Sequence, residues 1–290
     1  MATTQDLAGK VVLLTGATDG IGKAAAFEFA KRGASLTIVG RNATKTVEVL
    51  EELRTAAPDN LNLSSLLCDL SLLSDIRRLV NDFKATHNRL DVLANNAGAT
   101  FKSASLTSEG FEVTFALNHL GPFLLTTSLF DLLVSTSGSR VVFTSSAMQA
   151  RGNLRLDQLP TQLDKSGPIT YADAKLCNVL MAKELQRRLS SAGAISSVSN
   201  AYEPGMVRTQ FGGFGSDQGL LLNIVYCLAA PFSSSPEQGA DTLVWLATAP
   251  EAGKLKGEFV SKRRIIQPQK QGRDDKLAEE LWALSERLCK

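Results

Sequence analysis

The chain has 290 residues, of which 44% are hydrophobic and 21% charged, and its formal net charge is +2. These values suit one large α/β domain that needs neither disulfides nor a metal ion for stability. Because the charge is nearly balanced and no block of like charges occurs, we expect no nucleic-acid partner. The four cysteines and two histidines are widely spaced and include no CxxC pair, so we also expect no metal site.

The sequence carries no obvious targeting signal. The N-terminal residues Met1–Lys10 contain no apolar signal region, and no stretch reaches transmembrane length. The longest apolar candidate, Leu220–Phe232, is interrupted by an asparagine and a proline. We interpret Cys68 and Cys227 as buried, reduced cysteines. These features predict a cytoplasmic protein and leave open whether it is a monomer or a homo-oligomer.

Short apolar runs alternate with helical patterns along the chain. The predicted elements are strand Val11–Leu14, a helix from near Gly20 to Lys31, strand Leu36–Val39, helix Thr44–Ala56, strand Leu61–Cys68, helix Ser74–Thr86, strand Leu90–Ala94, helix Glu109–Leu133, strand Arg140–Thr144, helix Tyr171–Ser191 and strand Ile195–Ala201. This β-α repetition predicts a single-domain α/β fold, doubly wound, with a central parallel sheet flanked by helices. We expect one domain over residues 1–290, with a cofactor-binding and catalytic core at 8–200 and a substrate lid at 204–235.

A glycine-rich turn, Thr15–Gly22, lies between the first strand and the first helix, with glycines at positions 16, 20 and 22. Glycine permits a tight turn and a close approach of a pyrophosphate, and the helix start offers free N–H groups and a positive dipole end. An ordinary strand-to-helix turn can also be glycine-rich. The strand–turn–helix context favours a dinucleotide site.

The end of the second strand bears on the choice of cofactor. An NAD site usually has an acidic residue there for the ribose hydroxyls, whereas this sequence has Gly40 followed by Arg41. A guanidinium can pair with a 2′-phosphate, so NADP(H) is favoured over NAD(H). The alternative is that Arg41 is only a solvated loop residue, and Asp19 in the phosphate turn is a mild signal against the extra phosphate.

Tyr171 and Lys175 open the long helix one turn apart, so both lie on one helix face. A tyrosine hydroxyl has a pKa near 10, and a neighbouring lysine would lower it into a range useful for proton transfer. An isolated YxxxK is also compatible with a surface pair. Ser146 follows the fifth strand, at the sheet edge where doubly wound folds bind ligands, and Asn118 lies in an apolar helix where it could instead brace the backbone.

The motifs together resemble the short-chain dehydrogenase/reductase family over nearly the whole chain. The matching features are Thr15-Gly-x-x-x-Gly-x-Gly22, Asp69 after the third strand, Asn95-Asn96-Ala97-Gly98, Asn118, Ser146, Tyr171-x-x-x-Lys175 and Pro204-Gly205-x-x-x-Thr209. Each motif alone is weak, and their joint order carries the resemblance. The resemblance implies a Rossmann fold and an enzyme that transfers a hydride between nicotinamide and a carbonyl or alcohol.

The resemblance also implies a role for each matching residue. Tyr171 would be the general acid/base, Lys175 would hold the nicotinamide ribose and tune Tyr171, Ser146 would orient the substrate oxygen, and Asn118 would place a water in a proton relay. Asp69 would contact the adenine, Asn95 and Gly98 would line the adenosine side, and Val207 and Thr209 would hold the carboxamide and diphosphate. The full expected cofactor set is Thr15, Gly16, Thr18, Asp19, Gly20, Ile21, Gly22, Arg41, Asp69, Leu70, Asn95, Ala97, Gly98, Tyr171, Lys175, Pro204, Gly205, Val207 and Thr209, with no metal ligand.

Two branches of the family are most similar. The segments Asn118–Leu125, Ser235–Ala240 and Glu280–Trp282 resemble retinol dehydrogenases, whereas Asp173–Asn178 resembles protochlorophyllide reductase. Met206 stands where the second branch has a cysteine, and that branch's long insertion is lacking, so carbonyl or alcohol chemistry is favoured. A C=C or C=N reductase on the same scaffold is the alternative. A non-catalytic NADP(H) sensor is a further alternative, although it would not need the complete Ser/Tyr/Lys set.

The segment Phe211–Phe232 begins with glycines and continues into an apolar stretch. It predicts a mobile lid over a hydrophobic small-molecule substrate. Ordinary core packing and a membrane-surface helix are the alternatives, the second disfavoured because Leu220–Phe232 contains no basic residue.

Overall fold

The computed structural model describes residues 5–205 and 234–290. Its centre is an eight-stranded sheet in the order β3-β2-β1-β4-β5-β6-β7-β8. All neighbouring strands are parallel except β7 and β8, which are antiparallel. The strands are β1 (Val11–Thr15), β2 (Ser35–Gly40), β3 (Leu63–Leu67), β4 (Val92–Asn95), β5 (Arg140–Thr144), β6 (Val198–Glu203), β7 (Phe259–Ser261) and β8 (Arg264–Ile265).

Helices flank this sheet on both faces. They are α1 (Gly20–Lys31), α2 (Ala43–Ala56), α3 (Leu73–Thr86), α4 (Gly121–Ser128), α5 (Phe130–Ser135), α6 (Gly167–Ser191), α7 (Pro236–Thr248) and α8 (Asp275–Leu288). A single α turn, Val113–Phe115, and a π turn, Ala116–Leu120, lead into α4. Short 3₁₀ helices occur at Ala147–Arg151, Leu159–Thr161, Glu251–Lys254 and Lys270–Arg273.

Alternate residues of β1 build a hydrophobic core on each face of the sheet. Val12 and Leu14 belong to one buried cluster together with Phe29 of α1. Leu13 belongs to the other, together with Phe83 of α3. Because both faces of the strand are covered, β1 is fully buried and apolar throughout except for its last residue. The predicted doubly wound Rossmann architecture is confirmed.

The point at which the strand order changes direction determines where a ligand can bind. β1 pairs with β2 on one side and with β4 on the other, so the strand order changes direction between β1 and β4. Doubly wound folds bind ligands in the crevice at the carboxyl ends of strands at such a point. The glycine-rich turn, Arg41, Asp69 and Ser146 lie at or just after the carboxyl ends of β1, β2, β3 and β5, and Asn95 is the last residue of β4.

One predicted element is wrong. The single helix expected over Glu109–Leu133 is replaced by the turn at Val113, the π turn, α4 and α5. Glu109 lies outside these helices and caps α3 instead, because its carboxylate accepts from the backbone N–H groups of Leu73 and Ser74 at 2.6 and 3.0 Å. A carboxylate at a helix N-terminus satisfies free N–H groups and suits the helix dipole.

Several predicted boundaries move by a few residues. The third strand begins at Leu63 rather than at residue 61, and the sixth runs from Val198 to Glu203 rather than from 195 to 201. The long helix begins at Gly167, four residues before Tyr171, with a proline at its start. The sequence did not predict β7, β8, α7 or α8 as elements.

The predictions about buried cysteines and about membrane-spanning segments can be compared with only the described part of the chain. Cys68 is a free, buried cysteine as expected, whereas Cys227 lies outside the described residues. Within residues 5–205 and 234–290, no helix is long and apolar enough to cross a membrane. The predicted lid lies almost wholly outside the described residues, so its assignment stays a prediction.

Candidate active site

The glycine-rich turn after β1 is held in place by Thr15. Its hydroxyl donates to the carbonyl of Ala94 at 3.3 Å and accepts from the backbone N–H groups of Asn96 and Ala97, both at 3.0 Å. Gly16 has a φ of +67°, and a Cβ there would lie 2.7 Å from Cα of Ala97. Only glycine fits this close approach and backbone conformation. The turn therefore presents bare backbone to the crevice, as a pyrophosphate site requires.

Asn96 completes the turn from the neighbouring strand end. Its side-chain amide donates to the carbonyls of Thr15 and Gly16 at 3.1 and 3.2 Å. The motif Asn95–Gly98 contains Asn96, but the sequence analysis predicted no role for its side chain. The two adjacent asparagines could have indicated this bracing role, because amides after a buried strand need hydrogen-bond partners.

Asp19 caps α1 rather than facing into the sheet. Its carboxylate is exposed and accepts from the N–H of Gly20 at 2.6 Å. Thr18 is half-buried, and its methyl group would lie 2.8 Å from a Cβ at Gly40. Ile21 is half-buried and packs against the hydrophobic cluster on the α1 side of the sheet. These three residues therefore lie around the turn where the sequence predicted them.

Arg41 and Asp69 face each other across the crevice edge, after β2 and β3. A guanidinium nitrogen of Arg41 lies 3.8 Å from a carboxylate oxygen of Asp69, and the Arg41 side chain is 72% exposed. Asp69 also accepts from the N–H and hydroxyl of Ser71 at 3.0 and 2.6 Å. These contacts fix the carboxylate and leave the guanidinium open to a further anion. An exposed, loosely paired arginine suits an anion site, and it is also compatible with the solvated-loop alternative.

Asn95 and Leu70 line the same side at greater depth. Asn95 is buried, and its amide donates to the hydroxyl of Thr126 at 3.0 Å. The Asn95 amide oxygen has no partner among the described residues. Leu70 is buried in the cluster on the α3 side. A buried amide oxygen without a partner is compatible with a polar group supplied by a ligand.

Tyr171 and Lys175 lie one turn apart on α6. The Lys175 ammonium lies 5.3 Å from the centre of the Tyr171 ring and donates to the carbonyl of Thr144, at the end of β5, at 2.9 Å. Lys175 is 2% exposed, and this burial lowers its pKa to about 7. Tyr171 is half-buried. A buried lysine on this face is not the surface pair that an isolated YxxxK would allow.

Two serines follow β5, and the structure separates their roles. Ser145 is buried and donates its hydroxyl to the carbonyl of Lys175 at 2.7 Å. Ser146 is half-buried and caps the 3₁₀ helix that follows, accepting from the N–H of Met148 at 3.2 Å. That bond uses the Ser146 oxygen as an acceptor and leaves its proton to donate. Ser146 is therefore the serine whose hydroxyl can face a substrate.

Asn118 lies in the π turn, and such turns occur frequently at functional sites. Its amide donates to the carbonyls of Ala99 and Thr114 at 2.9 and 2.8 Å, so it does brace the backbone. Its oxygen is buried and has no partner among the described residues. A Cβ at Gly98 would lie 2.5 Å from this oxygen and 3.0 Å from the Lys175 nitrogen. Gly98 therefore leaves an open path between the amide oxygen and the ammonium.

Of the remaining expected residues, the structure describes Pro204 and Gly205. They follow β6, half-buried and exposed respectively. Val207 and Thr209 lie outside the described residues, and their expected contacts stay predictions. In the part of the chain that the structure describes, no group of three or more His, Cys, Asp or Glu residues could hold a metal ion.

The fold is that of a doubly wound α/β protein, with a candidate dinucleotide site at the carboxyl edge of its sheet. A family model described as short chain dehydrogenase matches residues 10–217. Mouse (Mus musculus) retinol dehydrogenase 12 is 35% identical over 283 residues, spanning 98% of this chain and 87% of that protein. The putative daunorubicin C-13 ketoreductase DnrU of Streptomyces sp. (strain C5) is 36% identical over 281 residues, spanning 96% and 92%. This chain belongs to the short-chain dehydrogenase/reductase family, and it is of the retinol dehydrogenase-like branch.

Solved structures share the fold over most or all of the chain. An uncharacterised protein from Mycobacterium paratuberculosis superposes with a TM-score of 0.78 at 28% identity, covering 100% of this chain and 98% of that one. A short chain dehydrogenase of Escherichia coli CFT073 in complex with NADPH superposes with a TM-score of 0.64 at 23% identity, covering 88% and 98%. At that identity, the second likeness concerns the fold alone.

Proposed function

We propose that this protein is an NADP(H)-dependent carbonyl reductase or alcohol dehydrogenase acting on a hydrophobic small molecule. The observation that carries the proposal is the buried Lys175 ammonium one helix turn from Tyr171, beside the strand end that bears Ser146. A non-catalytic sensor would need the glycine-rich turn but not this arrangement.

The glycine-rich turn and the start of α1 would hold the diphosphate, Asp69 and Asn95 would line the adenosine side, and Lys175 would bind the nicotinamide ribose. When bound, NADPH supplies the hydride that reduces the carbonyl carbon. Arg41 would pair with the 2′-phosphate, which supports NADP(H) over NAD(H). Two solved short chain dehydrogenases of this fold, from E. coli CFT073 and from Shigella flexneri, are complexes with NADPH and with NADP, respectively.

The protein's own residues would supply the proton and the orientation. The Tyr171 hydroxyl would protonate the carbonyl oxygen during reduction and accept the proton in the reverse direction. Its neighbour Lys175 would stabilise the phenolate electrostatically, because a positive charge about one turn away favours the anionic form. The Ser146 hydroxyl would donate to the same substrate oxygen and stabilise the developing negative charge. The Asn118 oxygen would hold a water that restores the proton through Lys175.

The substrate class is proposed from two sources. Relatives are named retinol dehydrogenase and daunorubicin ketoreductase, and both names refer to alcohol or ketone groups. The apolar stretch Leu220–Phe232 is the proposed wall for such a substrate. Reduction of a C=C or C=N bond on the same scaffold remains the alternative. A cytoplasmic location is part of this proposal, and recovery of the chain in a washed membrane fraction would contradict it.

The decisive experiment replaces Tyr171 by Phe. The variant keeps the aromatic ring and loses the proton donor, so turnover of aldehydes and ketones with NADPH should fall by about 10²-fold or more while NADPH still binds. Tyr202→Phe is the matched control, because it removes the same group from a fully buried tyrosine on β6. Turnover by Tyr171→Phe at the rate of the Tyr202→Phe control would mean that Tyr171 is not the acid/base.

A further inference from the structure

The chain is irregular after the 3₁₀ helix Ala147–Arg151, yet side chains from distant parts of the sequence hold its backbone there. The N–H of Asn153 donates to the carboxylate of Asp173 on α6 at 2.7 Å. The N–H of Leu154 donates to the side-chain oxygen of Gln271 at 3.0 Å, and the Gln271 amide donates back to the Leu154 carbonyl at 3.3 Å. A backbone without regular structure is normally solvated, so this degree of side-chain pairing is unusual.

Three glutamines make most of this attachment, and we call Gln149, Gln269 and Gln271 the glutamine clasp. The Gln269 amide donates to the carbonyl of Gly152 at 2.9 Å. The side-chain oxygen of Gln149 accepts from the N–H of Gln269 at 3.2 Å, and that of Gln269 accepts from the N–H of Gln271 at 3.0 Å. Gln149 is 5% exposed, so loss of its partner would leave a buried polar group unsatisfied.

The segments that the clasp joins lie directly against α6, the helix that carries Tyr171 and Lys175. A Cβ at Gly152 would lie 2.9 Å from the carbonyl oxygen of Ala172 and 3.0 Å from Cβ of Leu176. A Cβ at Gly272 would lie 3.2 Å from a methyl carbon of the same leucine. Leu176 follows Lys175 in the sequence. The two chain segments that the clasp joins therefore both pack against Leu176, next to the Lys175 of the proposed mechanism.

The clasp also connects to Ser146. The 3₁₀ helix Ala147–Arg151 begins with the Ser146 cap and ends at Gly152. This helix of five residues therefore joins Ser146 to Gly152, whose carbonyl Gln269 holds. A displacement of Gly152 would therefore be transmitted to the Ser146 hydroxyl. Gln269 and Gln271 lie beyond residue 217, where the match to the family model ends.

We propose that Gln269 and Gln271 are positioning residues, which set the distance between the Ser146 hydroxyl and Tyr171 by fixing the far end of the Ala147–Arg151 helix. The proposal rests on the proposed function above. The C-terminal segment then takes part in catalysis without touching the substrate, because it holds a helix that does.

The test uses Gln269→Met and Gln271→Met, which keep the length of the side chain and remove its hydrogen-bonding groups. With a carbonyl substrate and NADPH, we expect kcat to fall by about tenfold or more, since a misplacement of about 1 Å can cost up to 10²-fold. The Kd for NADPH should change less than about twofold, since neither glutamine lies at the phosphate turn.

Gln186→Met is the matched control. Gln186 also bonds backbone groups, accepting from the N–H of Ser199 at 2.9 Å and donating to the carbonyl of Ser197 at 3.3 Å, but it lies toward the far end of α6. It should lower the thermal midpoint as much as the clasp variants do and leave kcat unchanged. If the clasp variants keep the kcat of Gln186→Met, the positioning role is wrong.

Amide hydrogen exchange gives a second readout that needs no turnover. The amide of Leu154, which donates to Gln271, should exchange faster in Gln271→Met than in the parent or in Gln186→Met. Unchanged exchange would overturn the clasp itself. If the parent reduces no carbonyl compound, the proposed function fails, and the exchange data still decide whether the glutamines hold this segment.

Discussion

Single residues explain both what the sequence could predict and what it could not. Tyr171 and Lys175 are predictable because helix periodicity alone puts them on one face. Adjacent serines at a strand end differ only in which way each hydroxyl turns, so the choice of Ser146 over Ser145 rests on the family resemblance. In the structure, the Ser145 hydroxyl donates to the Lys175 carbonyl, whereas the Ser146 oxygen accepts from the N–H of Met148. The Arg41–Asp69 contact was also missed, because it joins the ends of different strands.

Lys175 provides a prediction at this scale. Burial lowers its pKa from 10.5 to about 7, which corresponds to roughly 5 kcal/mol against the charged form in the folded protein. Below pH 7 the lysine is charged in both states, and the folded state carries the full penalty. Between pH 7 and 10.5 only the unfolded state stays charged, so stability rises with pH.

Lys175→Met should therefore stabilise the cofactor-free protein, most strongly below pH 7, with a gain that shrinks toward pH 10. Urea unfolding at pH 6, 8 and 10 measures it. Lys183→Met removes a half-buried lysine of the same helix that is paired with Asp275, and it should show no such gain. If the difference in unfolding free energy between the parent and Lys175→Met does not change with pH, burial does not lower the pKa of Lys175.

Secondary-structure elements were predictable where the pattern is local. The buried parallel strands β1, β2, β4 and β5 are apolar runs, and α1 and α2 have caps or glycines at their ends. Most residues from Glu112 to Thr126 are buried on whichever side they lie, so no amphipathic periodicity reveals the π turn or the break before α5.

The hairpin of β7 and β8 was hidden for a different reason. These strands have three and two residues, respectively. Their turn uses Lys262 and Arg263 with φ values of 48° and 59°. Turns of this kind usually carry glycine or asparagine, so the sequence lacks the expected signal.

The π turn also gives a prediction about acid stability. His119 in this turn is 1% exposed and contacts the Ser285 hydroxyl of α8 at 2.9 Å. Burial lowers its pKa to about 3 and outweighs the opposing effect of the nearby Asn178 side chain. Between pH 6.5 and 3 the unfolded state gains a proton that the folded state does not. The folded state is therefore destabilised as the pH falls through this window.

His119→Gln should lower stability at pH 7 but remove this acid sensitivity. The difference in unfolding free energy between parent and variant should narrow by roughly 3 kcal/mol from pH 7 to pH 4.5. His87→Gln, at the partly exposed C-terminal end of α3, is the control and should leave the acid limb as it is in the parent. If both variants show the parent's acid limb, His119 is not the group responsible.

At the scale of the whole molecule, the cofactor crevice draws on residues that are far apart in sequence. The glycine-rich turn, Arg41, Asp69, Asn95 and Lys175 all meet at the carboxyl edge of one sheet. Fold topology made this meeting predictable, because parallel strands all end at the same edge. The glutamine clasp was not predictable, since the bonds that join its two segments span 117 to 120 residues and follow no local pattern. Such contacts depend on how the C-terminal segment packs against α6.

A ligand that binds only the folded crevice must stabilise the entire fold. At about 100 times its Kd, NADPH should raise the free energy of unfolding by roughly 2.7 kcal/mol. NADH at the same concentration should raise it less, because it lacks the phosphate that Arg41 is proposed to bind.

Arg41→Asp should reverse this order of NADPH over NADH, since it removes the guanidinium and adds a carboxylate that repels the phosphate and can bind ribose hydroxyls. Thermal unfolding with each cofactor measures all four combinations. Arg54→Asp makes the same charge change at the other end of α2, where Arg54 pairs with Glu51 of the same helix, and it should keep the parent's preference. An equal shift with NADPH and NADH in the parent would mean that Arg41 does not select the cofactor, and the same shifts in Arg41→Asp and Arg54→Asp would mean that the effect is one of overall charge.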